Sequence, residues 1–506
     1  MSALTAMGRA KEWAKRLWEP GGTLSQRVVR GGIWVFALRI ASRVLTLIRT
    51  IVLARVLAPS DFGLMGIALL AMSATETFSQ TGFQAALIQK KGDIKDYLDT
   101  AWTVSALRGL VLFAVLYLAA PYIALFFDTP AATPMMRVIG LSMLLNGLTN
   151  IGVVYFRKEL EFNKQFIYQL SGTVADLVVA ITAALLLRSV WALVFGLLAG
   201  NFARFVMSYL ICPYRPRVRF ERARANELHS FGRWILGSSI LVFLLTQGDD
   251  ALVGKVLSTT ALGFYQMAYR ISNAPATEIS AVISQVTFPA YSKLRDSLSS
   301  LRKAYLKTLQ LTALISIPVA GGIFILAPEF TTIFLGAKWM PMVPAMRVLA
   351  LYGLLRSIGF TGSVFMAVGR PELRTKLQFA ALILMAIVIY PLTVRWGIMG
   401  TSIAVTIYAL VNIVGIYIAL KVTECNYKKA AQVVLLPLVD TAIMIFVVFA
   451  LKTYVFDNVG PAWFLLLTVG GIFTYLSIAH LLDLLFNCGN KKLIQEQLTN
   501  LFQKFG

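Results

Sequence analysis

The stretch VLARVLAPSDFGLMGIA, residues 52–68, returns two hundred positions later as LVGKVLSTTALGFYQMA, residues 252–268. Val56, Leu57, Gly63 and Ala68 match Val256, Leu257, Gly263 and Ala268, and Arg55 matches Lys255. The same offset pairs Gly32 and Trp34 with Gly232 and Trp234. Further on, PMMRVIGLSMLL (134–145) aligns on PAMRVLALYGLL (344–355), sharing Pro, Met, Arg, Val and three leucines. Chance gives far fewer identities, even in apolar sequence. A repeat of this length marks a molecule built from two like halves.

The chain has 506 residues, 58% of them hydrophobic and 14% charged, with a mean hydropathy of +0.73. A water-soluble domain of this length does not look like that, whereas a stack of membrane helices does. Apolar runs of spanning length are centred near residues 45, 75, 110, 146, 177, 202, 244, 277, 316, 355, 385, 410, 444 and 473. They predict an all-α polytopic membrane protein with about 14 transmembrane helices.

The formal net charge of +23 hints at nucleic acid, but its arrangement argues against that partner. Lys and Arg gather in short clusters between the apolar runs. The clusters are the tail before residue 31, residues 90–95 and 157–164, the run YRPRVRFERARAN (214–226), residues 293–307, 370–376 and 421–429, and the end from Lys491. The alternate connections hold only Arg188, Lys338, Arg395 and Lys452. By the positive-inside rule, both termini are expected in the cytoplasm. The outer connections are short, which argues against a large extracytoplasmic catalytic domain.

Cys212, Cys425 and Cys488 are too few and too scattered for a disulfide framework or a zinc site, so reduced structural thiols are expected. His229 and His480 have no metal-ligand company, and no metal or other cofactor is expected. The first apolar run begins near Ile33 at full length, so no cleavable signal peptide is predicted. Before it, Leu4, Met7, Trp13, Ala14, Leu17 and Trp18 share a helical face, giving either an interfacial helix or a frayed tail.

Six helices return the chain to its starting side, so the two halves are parallel repeats related by an axis along the membrane normal. The expected order is a basic, amphipathic cytoplasmic tail (1–30), a six-helix N-lobe (31–213), a basic cytoplasmic linker (214–229) and a six-helix C-lobe (230–423). Two additional helices (424–490) and a cytoplasmic tail (491–506) follow. Facing lobes are transporter architecture, with a substrate site expected between them and a linker able to follow their rocking.

The first span carries unusual charge. At about 100° per residue, Arg39, Ser42, Arg43, Thr46, Arg49 and Thr50 fall in one sector roughly 120° wide. The rest of that surface is Ile, Leu, Val and Ala. A guanidinium in the bilayer costs at least ~2.5–3.5 kcal/mol, so three on one face are expected to look into a polar cavity suited to an anion. On the eighth span Gln266, Arg270, Asn273, Thr277 and Ser284 share a face; on the second, Ser73, Glu76, Thr77, Gln80 and Gln84 do. The seventh span carries Gln247, Asp249 and Asp250, and the tenth carries Arg356.

Several segments also carry a family likeness. IVLARVLAPSDFG (51–63), LGFYQMAYRI (262–271), FPAYSKL (288–294), RKELEFN (157–163) and FLGAKWMPMVPAMRVLALYGLLRSIG (334–359) resemble the polysaccharide transporter (oligosaccharide flippase) family. This family belongs to the multidrug/oligosaccharidyl-lipid/polysaccharide superfamily, and the last two segments are especially similar to its colanic-acid exporter branch. The resemblance runs from about Gly31 to Lys421. It implies a non-enzymatic flippase in the bacterial cytoplasmic membrane that moves an undecaprenyl-diphosphate-linked oligosaccharide outward for surface polysaccharide synthesis. A polysaccharide polymerase or export machinery is an implied partner. The family has no fixed catalytic signature, so substrate residues must come from the helix faces.

For a diphosphate, the planar and permanently charged forks of Arg39, Arg43, Arg49, Arg270 and Arg356 are the candidates. For sugar contacts or coupling they are Glu76, Gln80, Gln247, Asp249, Asp250 and Asn273. Bland alternatives stand beside them. Glu76 is either a ligand or a counter-ion to Arg39 or Arg43. Asp249 and Asp250 either line the cavity and bind a proton, or neutralise Arg270. Tyr265 and Tyr269 either stack on sugars or fill the core. Arg137 and Arg347 read as interfacial anchors, as do Arg55 and Lys255, while Arg108, Asp176 and Arg204 are single charges available to pair within the first lobe. Membrane potential, interior negative, favours outward movement of each substrate charge by ~2.3 kcal/mol per 100 mV.

Other function classes fit less well. A cationic-drug exporter of the same superfamily wants carboxylates and few arginines in its cavity. A membrane glycosyltransferase needs catalytic carboxylates at a membrane surface and a domain for its donor. A peptidoglycan-precursor flippase shares the cationic logic and is separated only by family likeness.

Overall fold

The structure, a computed structural model, describes residues 24–80, 82–90, 92–294, 297–359, 361–454 and 460–486. The amphipathic segment expected over residues 4–18 and the tail after residue 486, with Cys488, lie outside the described residues. Regular structure among the described residues is entirely helical. The chain divides into two compact units between Phe243 and Leu244, within a continuous helix and beyond the linker expected at 214–229.

The first unit holds α1 (Leu24–Val56), α2 (Pro59–Phe78), α3 (Phe83–Gln89), α4 (Lys95–Phe126), α5 (Ala132–Leu148), α6 (Val154–Lys158), α7 (Phe162–Leu187) and α8 (Trp191–Ile211). Helix α9 (Arg222–Val256) carries the boundary. The second unit continues with α10 (Thr259–Lys293), α11 (Leu298–Phe330), α12 (Val343–Ile358), α13 (Gly362–Ala367), α14 (Pro371–Ala409) and α15 (Val411–Val422). It ends with α16 (Tyr427–Tyr454) and α17 (Pro461–Phe486). The expected span centres fall in these helices, except residue 410, which is the joint between α14 and α15.

The repeat seen in sequence is a repeat of elements. Helices α1 and α2 correspond to α9 and α10, α4 and α5 to α11 and α12, and α6 to α13. Helix α7 corresponds to the first part of α14, where Gly397 breaks the helix with φ +58°. At the equivalent turn after α7, Arg188 holds φ +46°. Thus both halves reverse the chain on a residue of positive φ, and only one of them uses the residue that adopts it without strain.

The turn into the second helix of each half is capped by different chemistry. Before α2, the Asp61 carboxylate accepts the Ala58 N–H at 2.9 Å, with Pro59 opening the helix. Before α10, the Ser258 hydroxyl oxygen accepts the Ala261 N–H at 3.1 Å.

Close helix contacts are made by small residues, as expected where lipid gives no hydrophobic drive to association. A Cβ on Gly109 of α4 would lie 2.7 Å from the Met143 carbonyl of α5. One on Gly172 of α7 would lie 2.8 Å from the Gly200 carbonyl of α8. In the second unit, Glu329 of α11 is ion-paired to Lys452 of α16, and Tyr475 of α17 donates to the Leu314 carbonyl at 2.8 Å.

Among the described residues, 8 helices are long and apolar enough to cross a membrane, or up to 10 if each bent pair is one span. Length and apolarity alone therefore do not establish fourteen. The stretch Pro371–Val422 counts once although Gly397 breaks it. Helices α1, α9 and α10, of 33, 35 and 35 residues, are long enough to span as well. These are the helices that carry Arg39, Arg43, Asp249, Asp250, Arg270 and Asn273.

The linker is fastened down along part of its length. The Arg217 N–H donates to Asp99 Oδ1 at 3.0 Å, the Arg219 N–H to Thr103 Oγ1 at 3.1 Å and the Glu221 N–H to Thr100 Oγ1 at 3.3 Å. The Tyr214 hydroxyl also donates to Asp99. Asn150 donates to the Tyr214 carbonyl at 2.7 Å. Arg224 reaches the Asp96 carbonyl, and Lys90 pairs with Glu227. Residues 214–227 thus form a strap on the first unit, where sequence alone suggested a linker able to follow rocking of the lobes.

Candidate functional site

In the first unit, α1 presents Arg39 half-buried and Arg43 exposed. Arg49 is engaged: its Nη2 lies 3.0 Å from Asp176 Oδ1 on α7. The Thr50 hydroxyl, on the same face, is buried and returns to the Thr46 carbonyl at 2.8 Å. At the far end of the sector, Arg49 and Thr50 are thus turned to internal bonds.

Glu76 on α2 has a cation and an amide beside it, Arg108 of α4 and Asn146 of α5. Arg108 also satisfies the end of α2. Its guanidinium donates to the Glu76 carbonyl at 2.9 Å and to the Ser79 carbonyl at 2.8 Å. A cation at a helix C-terminus is favourable against both the dipole and the open carbonyls. Arg108 is thus placed as part of the fold. Gln80 accepts from the Ser239 hydroxyl at 2.7 Å, and Arg204 donates to Asn201 at 2.7 Å on its own helix.

In the second unit, the acidic pair of α9 is held by α10. The Tyr265 hydroxyl donates to Asp249 Oδ2 at 2.6 Å, and the Gln266 amide to Asp250 Oδ2 at 3.0 Å. Asp249 is 3% exposed and its Oδ1 has no hydrogen-bond partner. Asn273 is equally buried; its Nδ2 donates to the Tyr269 carbonyl at 3.2 Å, and its Oδ1 is unpartnered. Arg270, one turn from Gln266, is exposed and acts electrostatically on Asp250. Gln247 is half-buried.

A string of tyrosines continues from this pair. The Tyr269 and Tyr352 hydroxyls lie 3.3 Å apart, those of Tyr352 and Tyr408 3.0 Å apart, and Tyr408 donates to the Leu245 carbonyl at 3.2 Å. Arg356 Nη1 donates to the Tyr269 hydroxyl at 3.5 Å. Tyr265 is completely buried, so it belongs to the core and not to a sugar platform. Sequence reasoning missed Tyr352 and Tyr408. The only available signal was that Tyr352 lies one helical turn before Arg356.

The two anchors of the second sequence repeat behave alike. Arg137 lies over the Tyr117 ring at 4.6 Å and Arg347 over the Phe324 ring at 5.7 Å. Each also donates to the carbonyl of the same aromatic residue. These are cation–π seats on a neighbouring helix.

A sequence profile described as polysaccharide biosynthesis protein matches residues 52–344, more than half of the chain. The chain belongs to this family. It is 26% identical over 400 residues to the lipopolysaccharide biosynthesis protein WzxC of Escherichia coli, covering 78% of this chain and 80% of that one. It is 25% identical over 375 residues to the teichuronic acid biosynthesis protein TuaB of Bacillus subtilis, covering 73% and 78%. Among solved structures, the lipid II flippase MurJ in an inward closed conformation superposes with a TM-score of 0.71. That likeness is at 16% identity and covers 88% of this chain and 99% of MurJ, so it establishes the fold. The expected polytopic transporter fold and family are thereby borne out.

Proposed function

We propose that this chain is a flippase that carries an undecaprenyl-diphosphate-linked oligosaccharide outward across the cytoplasmic membrane for surface polysaccharide synthesis. One observation carries this function. In a member of a polysaccharide biosynthesis family, the long helices α1, α9 and α10 bear arginines, carboxylates and amides at membrane depth. Polar helices in a membrane bundle need a hydrated surface to face. Arginine on that surface suits a diphosphate, which it grips as a permanently charged fork.

No covalent bond is made or broken in this task. Arg39, Arg43 and Arg270 receive the diphosphate. Arg49 supports the wall through Asp176, and Arg356 stands on the tyrosine string. Glu76, Gln80, Gln247, Asp250 and Asn273 serve sugar hydroxyls. Asp249, buried with one open oxygen, is a proton site that links transport to the proton gradient. Membrane potential adds ~2.3 kcal/mol per charge per 100 mV in the outward direction. Both termini and the strap are cytoplasmic, and a polymerase or export machinery takes the product.

The test is a deletion strain complemented with variants. Loss of the chain accumulates a lipid-linked glycan intermediate, whose identification names the cargo. Arg43→Ala with Arg270→Ala is expected to abolish surface polysaccharide, and Arg43→Lys to keep part of it. Normal polysaccharide from a correctly inserted double variant overturns the assignment.

A further inference from the structure

Among the described residues, nothing covers one side of the strap. Val218 is 82% exposed and Phe220 59% exposed, and Arg215, Arg217, Arg219 and Arg222 are all exposed. The amides of residues 217, 219 and 221 bond to α4 at every second position. That spacing makes the chain extended, with Val218 and Phe220 on one face and Arg217 and Arg219 on the other.

Depth follows from helix length. Helix α4 has 32 residues, about 48 Å at 1.5 Å per residue, against a hydrocarbon core of about 30 Å. Its start carries Lys95, Asp96, Asp99 and Thr100, while its end, residues 123–126, is apolar. This assigns the excess length to the end that holds the strap and sets that end at the headgroup layer. Helix α8 reaches the same level, ending at Ile211 just before the strap.

Charge selects the partner. The nearby carboxylates are already engaged: Asp99 by Tyr214 and the Arg217 amide, Asp96 and Glu221 by Arg224, Glu227 by Lys90. Arg219 pairs with Glu221 at 3.0 Å, and Arg215 donates to the Cys212 carbonyl. Arg217 and Arg222 have no ion pair among the described residues. An extended segment with an apolar face below and unpaired guanidiniums at phosphate level matches the boundary between acyl chains and anionic headgroups.

We propose that residues 215–222 are a lipid-binding clamp, in which Val218 and Phe220 enter the acyl boundary while Arg217 and Arg222 bind the phosphates of anionic lipids. Binding of this kind anchors the strap, and with it the first unit, to one leaflet. Only membrane insertion is required, so the clamp stands whether or not the chain is a flippase.

The test uses the full chain in nanodiscs, with Cys212, Cys425 and Cys488 replaced by Ser and a bimane label on Phe220→Cys. Brominated phosphatidylglycerol, diluted in phosphatidylcholine, is expected to quench the label at a lower mole fraction than brominated phosphatidylcholine. Each arginine near the surface contributes about fivefold to that preference. Arg217→Gln with Arg222→Gln should bring the two lipids together while leaving the strap's backbone bonds intact, and high salt should do the same without mutation. A label quenched by aqueous iodide and by neither lipid overturns the clamp. So does an unchanged preference in the double variant, or equal quenching by the two lipids. Protection of the label by soluble pyrophosphate in detergent overturns it in favour of a free-anion site.

Discussion

Arg49 and Asp176 stand 3.0 Å apart and tie α1 to α7 within the first unit. The pair is partly sheltered, with 15% and 28% of the side chains exposed. Removing one partner leaves a charge without its neighbour, which costs ~3–5 kcal/mol in a fully buried pair and less where water reaches. Arg49→Ala and Asp176→Asn are each expected to lose about 2 kcal/mol of stability, and the double variant clearly less than the sum. Thermal unfolding of the purified protein measures this. Additive losses, without coupling, would show that the pair is not a unit.

The Tyr265 hydroxyl bond to Asp249 makes a second cycle testable. A hydrogen bond to a charged group contributes about 1.5–3 kcal/mol, and a buried carboxylate deprived of it stays unsolvated. Asp249 already has one unpartnered oxygen. Tyr265→Phe is therefore expected to destabilise the second unit, and adding Asp249→Asn to restore much of the loss. If Asp249 binds the transported proton, Asp249→Asn should also abolish the dependence of transport on the pH gradient. Tyr265→Phe should only shift it.

Much of this was legible in the sequence for a physical reason. Burial against lipid writes itself as long apolar runs, and duplication writes itself as identity at fixed offset, so the helices and their pairing across the repeat were readable. Helical periodicity likewise put Arg39, Arg43 and Arg49 on one side. What periodicity cannot supply is the neighbour. Asp176 lies far along the chain from Arg49, and Tyr269, Tyr352 and Tyr408 come from three separate helices. The strap was hidden more thoroughly. Its bonds use the backbone of residues 217–221, and a basic, Pro-containing run looks the same whether it hangs loose or lies hydrogen-bonded along α4.

Gly397 and Arg188 give opposite outcomes for the same kind of substitution. Gly397 combines φ +58° with ψ −141°, a region that side chains avoid. Arg188 adopts the left-handed helical region at φ +46°, ψ +41°, which costs a residue with Cβ roughly 1–2 kcal/mol. Gly397→Ala is expected to destabilise by about 1–3 kcal/mol, and Arg188→Gly to be neutral or to stabilise by up to about 1 kcal/mol. Paired thermal melts decide it. Equal effects at the two turns would remove backbone strain as the explanation.

Glu227 closes the strap against Lys90 and Tyr97, and this corner should respond to acid. The hydrogen bond from Lys90, and then that from Tyr97, holds the Glu227 carboxyl below its ordinary value. A carboxyl with a lowered folded value contributes stability above its unfolded value, and that stability disappears as pH falls through the folded one. The effect therefore belongs to pH below the ordinary glutamate range of about 4.3, and neutral conditions leave it intact. Both groups face water, so the contribution is small and screened by salt. Hydrogen exchange at the Arg217, Arg219 and Glu221 amides, which the closed strap bonds to α4, should accelerate in the wild type as pH falls through this window, after correction for the intrinsic exchange rate. Glu227→Gln should show the fast rate already at neutral pH. Loss of Lys90 by Lys90→Met should mimic Glu227→Gln, because either change opens the same pair. A Glu227→Gln protein whose strap amides exchange as slowly as in wild type at neutral pH would mean that Asp99 and Thr103 hold the strap unaided.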